Sequence, residues 1–167
     1  QGFNRFLVHT DFYRDYMSTY LSLPREKFRV LPLGIELHEH TGRPRRGRAD
    51  EFVVGYFARL APEKGLHNLV EAFQLLREQV PHVRLKIGGY QGAPYQNYVD
   101  ETLARFRTAG IPVENIGSPA TIEEKVAFLS SLDAFTVPTE FLEPKGMYVL
   151  EALANGVPVV QPAHGAF

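Results

Sequence analysis

The sequence predicts an α/β fold, a doubly wound Rossmann-like domain with a parallel sheet over residues 51–167. Three observations predict it. Short apolar runs alternate with stretches whose apolar residues recur at helical spacing. The runs are closed by glycine or proline. There is no fixed-period repeat and no low-complexity tract. Strand–helix alternation means parallel crossovers and a sheet covered on both faces. Such crossovers are right-handed almost without exception.

The elements follow in order. Residues 5–9 read as a short strand, and residues 11–21 as a helix capped by Thr10 or Asp11. Residues 28–31 form a second strand, stopped by Pro32 and Gly34. The pattern then dissolves up to residue 50, where Arg43, Arg45, Arg46 and Arg48 stand among Gly42, Pro44 and Gly47. This reads as a solvated linker, because no aromatic or helical pattern accompanies the charges. Residues 52–57 are strand-like, and Leu66, Leu69, Val70, Phe73 and Leu76 mark a buried helical stripe. A strand at 83–87 runs into Gly88-Gly89, and Val99, Leu103 and Phe106 mark a helix closed by Gly110. Residues 113–116 form a strand ending at Gly117. Thr121 and Glu124 have capping-box spacing before a helix whose expected buried face is Ile122, Val126 and Leu129. A strand at 134–137 ends at Pro138, a helix at 147–155 ends at Gly156, and residues 157–160 form the last strand.

Composition bounds the function. The chain has 167 residues, 44% of them hydrophobic and 22% charged, an ordinary globular balance. Twelve Phe and eight Tyr can fill a core, which argues against disorder. No apolar stretch is long enough to span a membrane, and no charged-then-apolar leader opens the sequence. A net charge of -1 argues against a dedicated nucleic-acid binder. Without cysteine there is no disulfide framework, thiolate metal site or cysteine nucleophile. The six histidines do not form H-E-x-x-H. His38 and His40 are expected in solvent, and His9 on the surface or facing a cleft.

In a doubly wound sheet, ligands bind beyond the carboxyl ends of the strands. After the first strand of the domain, Arg59 and Lys64 stand five apart in a loop that feeds a helix. Two cations and a helix N-terminus suit a diphosphate, although solvated loop charges would read the same. After the next strand, the run from Gly88 to Gly92 lets a ligand approach the backbone. It is not G-x-G-x-x-G, because Tyr90 and Ala93 fill glycine positions, and no phosphate loop is present. After the fourth strand, Glu143 and Glu151 lie eight apart, one before a helix and one inside it. They could accept hydrogen bonds from sugar or ribose hydroxyls. The spacing alone is weak, since Glu63 and Glu71 share it.

The run from Gly55 to Gly65, carrying Arg59 and Lys64, and the run from Glu143 to Val160, an E-x7-E element, together resemble the retaining glycosyltransferases of group 1, family 4. The resemblance covers nearly all of residues 51–167 and implies the C-terminal half of a GT-B fold. It implies that residues 1–35 are the end of an N-terminal domain, residues 36–50 a linker, and residues 51–167 a truncated donor-binding domain. It departs from the family pattern at Pro144 and Lys145, where glycine and an aromatic are usual. The roles it implies are specific. Arg59 and Lys64 hold the donor diphosphate, Glu143 positions the donor sugar, and Glu151 binds the ribose. Gly89, Lys145, Gly146 and Met147 line the donor, and the base sits near Ile116, Gly117 and Ser118. No cofactor and no metal are implied. The implied substrate is a nucleotide-diphosphate sugar. The acceptor, a glycan, lipid-linked or small molecule, is met by the other domain. The implied setting is cytoplasmic, with peripheral attachment to the membrane face through that domain, and a chain of this length is expected to bind donor without transferring it. A non-catalytic nucleotide-binding module and a sugar-nucleotide epimerase of GT-B fold stay open as alternatives.

Overall fold

A computed structural model describes residues 2–40, 42–43 and 50–167. Of the arginine-rich run, Arg45, Arg46 and Arg48 lie outside the described residues. The described residues form two parallel sheets. β1 (Phe6–Val8) pairs with β2 (Phe28–Val30), with α1 (Asp11–Tyr20) between them. Thr10 is the cap of α1, its hydroxyl accepting from the Tyr13 amide at 3.1 Å.

The main sheet has five strands, all parallel: β3 (Phe52–Phe57), β4 (Val83–Gly88), β5 (Val113–Asn115), β6 (Ala134–Thr136) and β7 (Val159–Val160). Their spatial order is β5-β4-β3-β6-β7. The connecting helices are α2 (Asn68–Gln79), α3 (Gln96–Thr108), α4 (Ile122–Ser130) and α5 (Met147–Ala154). The chain moves outward from β3 in one direction, then returns and moves outward in the other. Right-handed crossovers in opposite directions place helices on opposite faces, which is the doubly wound arrangement expected. The switch point lies between β3 and β6. The crevice for a ligand therefore opens where the loops after these two strands part.

The core lies on both faces of β3 and β4. Tyr56, Leu85, Ile87, Phe73, Phe106 and Phe135 are almost wholly excluded from water. Phe73 of α2 and Phe106 of α3 meet edge to face at 6.5 Å between centroids. Gly55 has no room for a side chain, because Leu132 would lie 2.1 Å from a Cβ there. The glycine lets the connection after α4 press directly on the central strand.

Three expectations change. First, α4 buries Phe128 and Leu129, while Ile122 and Val126 are only partly covered. The ring of Phe128 packs on Phe57 at 5.5 Å, so the C-terminal half of this short helix meets the sheet. Second, the cap of α4 is not a closed box. Thr121 accepts from the Glu124 amide at 3.2 Å, but Glu124 turns back to the Ala120 amide at 2.8 Å. Third, His40 is not in solvent. It is 8% exposed, and its Nδ1 lies 2.9 Å from the Asn155 side-chain Nδ2. Gly42 lies close beside Ser130, Val126 and Asn155, so this part of the expected linker is docked on the ends of α4 and α5. His38 is exposed beside Glu36, and His9 turns Nδ1 to the Leu31 carbonyl at 3.1 Å.

Candidate active site

The loop after β3 builds the first wall. Pro62 opens a single 3-10 turn, Pro62–Lys64, and its ring fixes φ for that start. Gly65 closes the turn at φ +71, a left-handed conformation in which Pro138 carbonyl would lie 1.9 Å from any Cβ. Glycine is required there. The Tyr56 hydroxyl, donating to the Lys64 carbonyl at 3.3 Å, ties the turn to the core.

The loop after β6 is fastened to that turn through one oxygen. The Glu63 carbonyl accepts from the Glu140 amide at 3.0 Å, the Phe141 amide at 3.2 Å and the buried Thr139 hydroxyl at 3.0 Å. Lys64 is thereby held opposite Glu143. The Lys64 ammonium donates to Glu143 Oε2 at 2.5 Å, with only 13% and 9% of the two side chains exposed. Tyr148 donates to the same oxygen at 3.3 Å, and the Lys145 amide to Oε1 at 3.4 Å. The Lys64 ammonium also lies over the Phe141 ring at 5.4 Å and the Tyr148 ring at 5.9 Å. Burial pushes the Glu143 carboxyl up. The Lys64 bond and charge, with the Lys145 and Gly146 amides, outweigh it and hold Glu143 below the usual carboxylate value. Burial, followed by the Glu143 charge, pushes the Tyr148 hydroxyl far up, so it is a donor at any ordinary pH.

Arg59 is half exposed. It bonds Glu63 at 2.6 Å and lies 5.9 Å from the Tyr95 ring. With one N–H group on Glu63, the guanidinium has further donors to offer a ligand. Gly146 opens α5 at φ +68 and supplies no side-chain cap, so among the described residues the first amides of that helix, beginning with Met147, are without a side-chain cap. The Phe167 ring fills the space beside Gly146 and lies tilted against Tyr148, 6.1 Å between centroids. Lys145 is exposed.

The glycine loops join the same edge. Gly89, at φ +127, passes so close to Ala58 that a Cβ would meet its carbonyl at 1.9 Å. The Gly89 amide donates to the Gly117 carbonyl at 2.8 Å, and the Leu60 amide to the Tyr90 carbonyl at 2.9 Å. Gly117, at φ +68, faces open space, and Ser118 beside it is exposed. The loops after β3, β4, β5 and β6 are thus linked in one row. Glu151 stands one turn into α5, and its Oε1 accepts from Lys125 of α4 at 3.0 Å.

Of the residues singled out in the sequence, Lys64, Glu143 and Gly146 lie together, Arg59 is on the same loop as Lys64, and Gly89 meets Gly117. Three partners were not read from sequence: Tyr148, Phe141 and Lys125. Tyr148 lies five residues after Glu143, on the first turn of α5, which is a signal that could have found it. Lys125 carries no such signal, because its partner is 26 residues away on another helix.

The family model described as glycosyl transferases group 1 matches residues 41–167. A relative from Mycolicibacterium smegmatis, named GDP-mannose-dependent alpha-(1-6)-phosphatidylinositol monomannoside mannosyltransferase, is 36% identical over 129 residues, 74% of this chain and 33% of its own length. A structure of Anabaena HepE in complex with UDP and glucose superposes with a TM-score of 0.83 at 23% identity, covering 98% of this chain and 45% of that one. The C-terminal domain of the group 1 protein LpcC from Francisella tularensis superposes with a TM-score of 0.68 at 21% identity, covering 80% and 73%. This chain spans about a third of the length of the curated relatives it matches. With the family model covering most of the chain and the sheet matching GT-B glycosyltransferase structures, the chain belongs to the glycosyl transferases of group 1 and has the GT-B fold.

Proposed function

We propose that the chain is the donor-binding half of a retaining, family 4 hexosyltransferase using a nucleotide-diphosphate sugar. The observation that carries this is the Lys64–Glu143 pair at the switch point of the sheet, with Arg59 on the same loop. Arg59 and Lys64 meet the diphosphate and stabilise its charge as it leaves. Glu143 accepts from hydroxyls of the donor sugar, with the backbone at Gly146 and Met147 beside it and Lys145 at the rim. Glu151 accepts from the ribose. The base lies along Gly89, Gly117 and Ser118. The bond from the anomeric carbon to the terminal phosphate oxygen breaks, and the acceptor oxygen bonds to that carbon on the same face. The acceptor proton passes to the leaving phosphate. No step in this reading requires a metal, because two side-chain cations meet the developing charge.

Residues 1–35 then belong to the acceptor-binding domain, which presents a glycan, lipid-linked or small-molecule hydroxyl. HepE is described with UDP, and the mannosyltransferase relative is named for GDP-mannose, so the base has to be found by experiment. Calorimetry with UDP, GDP and ADP should detect at least one complex, with a dissociation constant of about micromolar to millimolar. Silence with all three removes the nucleotide reading. Arg59→Ala should lower turnover of the intact enzyme at least about tenfold through the lost charge on the leaving group. Unchanged kinetics would take Arg59 out of the mechanism.

A further inference from the structure

We infer that Lys125 is a positioning residue that holds the Glu151 carboxylate toward the ribose of the nucleotide. The inference rests on the ribose role proposed above for Glu151. Lys125 lies on α4 and Glu151 on α5, so the pair bridges two crossovers of the sheet. The ammonium is 3.0 Å from Glu151 Oε1, and the side chains are only 25% and 17% exposed. It also lies 5.4 Å from the centre of the Phe57 ring, at the end of β3. Phe57 in turn packs on Phe128, one turn further along α4. The ammonium is therefore held between the Glu151 carboxylate and an aromatic ring, unlike a lysine waving in solvent.

Two consequences follow for a ligand. With Oε1 committed to Lys125, Glu151 Oε2 has no hydrogen-bond partner among the described residues and remains an acceptor for a hydroxyl. Binding a ribose with one carboxylate needs that carboxylate in one rotamer before the ligand arrives, and the Lys125 bond supplies this preorganisation.

The test uses whichever of UDP, GDP or ADP binds tightest, and its 2′,3′-dideoxy counterpart, titrated by calorimetry. The wild-type chain should prefer the ribonucleotide by about tenfold, the size of one charge-assisted hydrogen bond. Lys125→Met should lose most of that preference by weakening the ribonucleotide alone, and Lys125→Arg should restore it. Lys125→Gln serves as a second neutral variant. In a Glu151→Gln background, Lys125→Met should change nothing further. If Glu151→Gln loses the preference and Lys125→Met keeps it, Lys125 is not a positioning residue. An equal weakening of both nucleotides by Lys125→Met overturns the inference as well, because the lysine then acts on the phosphates or the fold. If Glu151→Gln keeps the preference, the ribose role itself falls, and this inference with it.

Discussion

Lys64→Met is expected to lower turnover of the intact enzyme by about 10²–10³-fold and, separately, to destabilise the chain at neutral pH. The two effects share one cause. Lys64 and Glu143 are both largely removed from water and bonded at 2.5 Å. Removing the lysine leaves Glu143 with the Tyr148 hydroxyl and backbone amides as partners, while burial still opposes its charge. Breaking a buried pair from one side costs about 3 kcal/mol, at the low end of the usual range, because these bonds remain. The pH dependence distinguishes this from a packing loss. In the wild type, Glu143 titrates below its unfolded value of about 4.3, so the pair's contribution is complete above that pH and is lost as pH falls through the depressed folded value. In the variant, Glu143 titrates higher. The stability gap between the two proteins should therefore be widest at pH 7 and narrow below about pH 4. Urea unfolding at pH 7 and at pH 3.5 reads the gap. A gap that does not change with pH would mean that Lys64 acts through its stem alone.

The parts of this site that the sequence displayed are those whose residues are local to one loop. Arg59, Lys64 and Gly65 sit within seven residues after one strand, and Glu143 and Gly146 within four before one helix. Their meeting is topological. Once the strand alternation is read, the loops after β3 and β6 must face each other at the switch point. What stayed hidden depends on angles between helices. Phe128, rather than Val126, reaches the sheet because α4 lands on Phe57 with its last turn. Lys125 meets Glu151 for the same reason. His40 escaped because a stretch rich in glycine, proline and charge reads as solvated linker, yet Gly42 fits close against Ser130 and Asn155 and brings His40 down beside Asn155. Periodicity carries no term for a segment without regular structure that packs through one imidazole. The Glu124 cap shifted by one residue, to the Ala120 amide, which is within the freedom of any helix start.

Gly65→Ala is expected to damage the fold of this site by about 3 kcal/mol or more. Two penalties combine there. At φ +71 an alanine pays roughly 1–2 kcal/mol for the left-handed region. Its Cβ would also lie 1.9 Å from the Pro138 carbonyl, a backbone atom that cannot swing aside. Gly110 separates the two terms. It has nearly the same conformation, φ +66, but a Cβ there meets only the Arg77 guanidinium at 3.6 Å. Gly110→Ala should therefore cost only the conformational part, roughly 1 kcal/mol. The excess at Gly65 measures how tightly the loops after β3 and β6 are pressed together. Because Pro138 leads directly into Thr139 and Glu140, which bond the Glu63 carbonyl, relief of the clash must part the turn carrying Lys64 from the loop carrying Glu143. Nucleotide affinity should fall with stability in Gly65→Ala and stay unchanged in Gly110→Ala, read by calorimetry and urea unfolding on the same samples. Equal stability losses in the two variants would mean that the Lys64 turn yields freely, and that the close approach of the two loops does not set the geometry of the site.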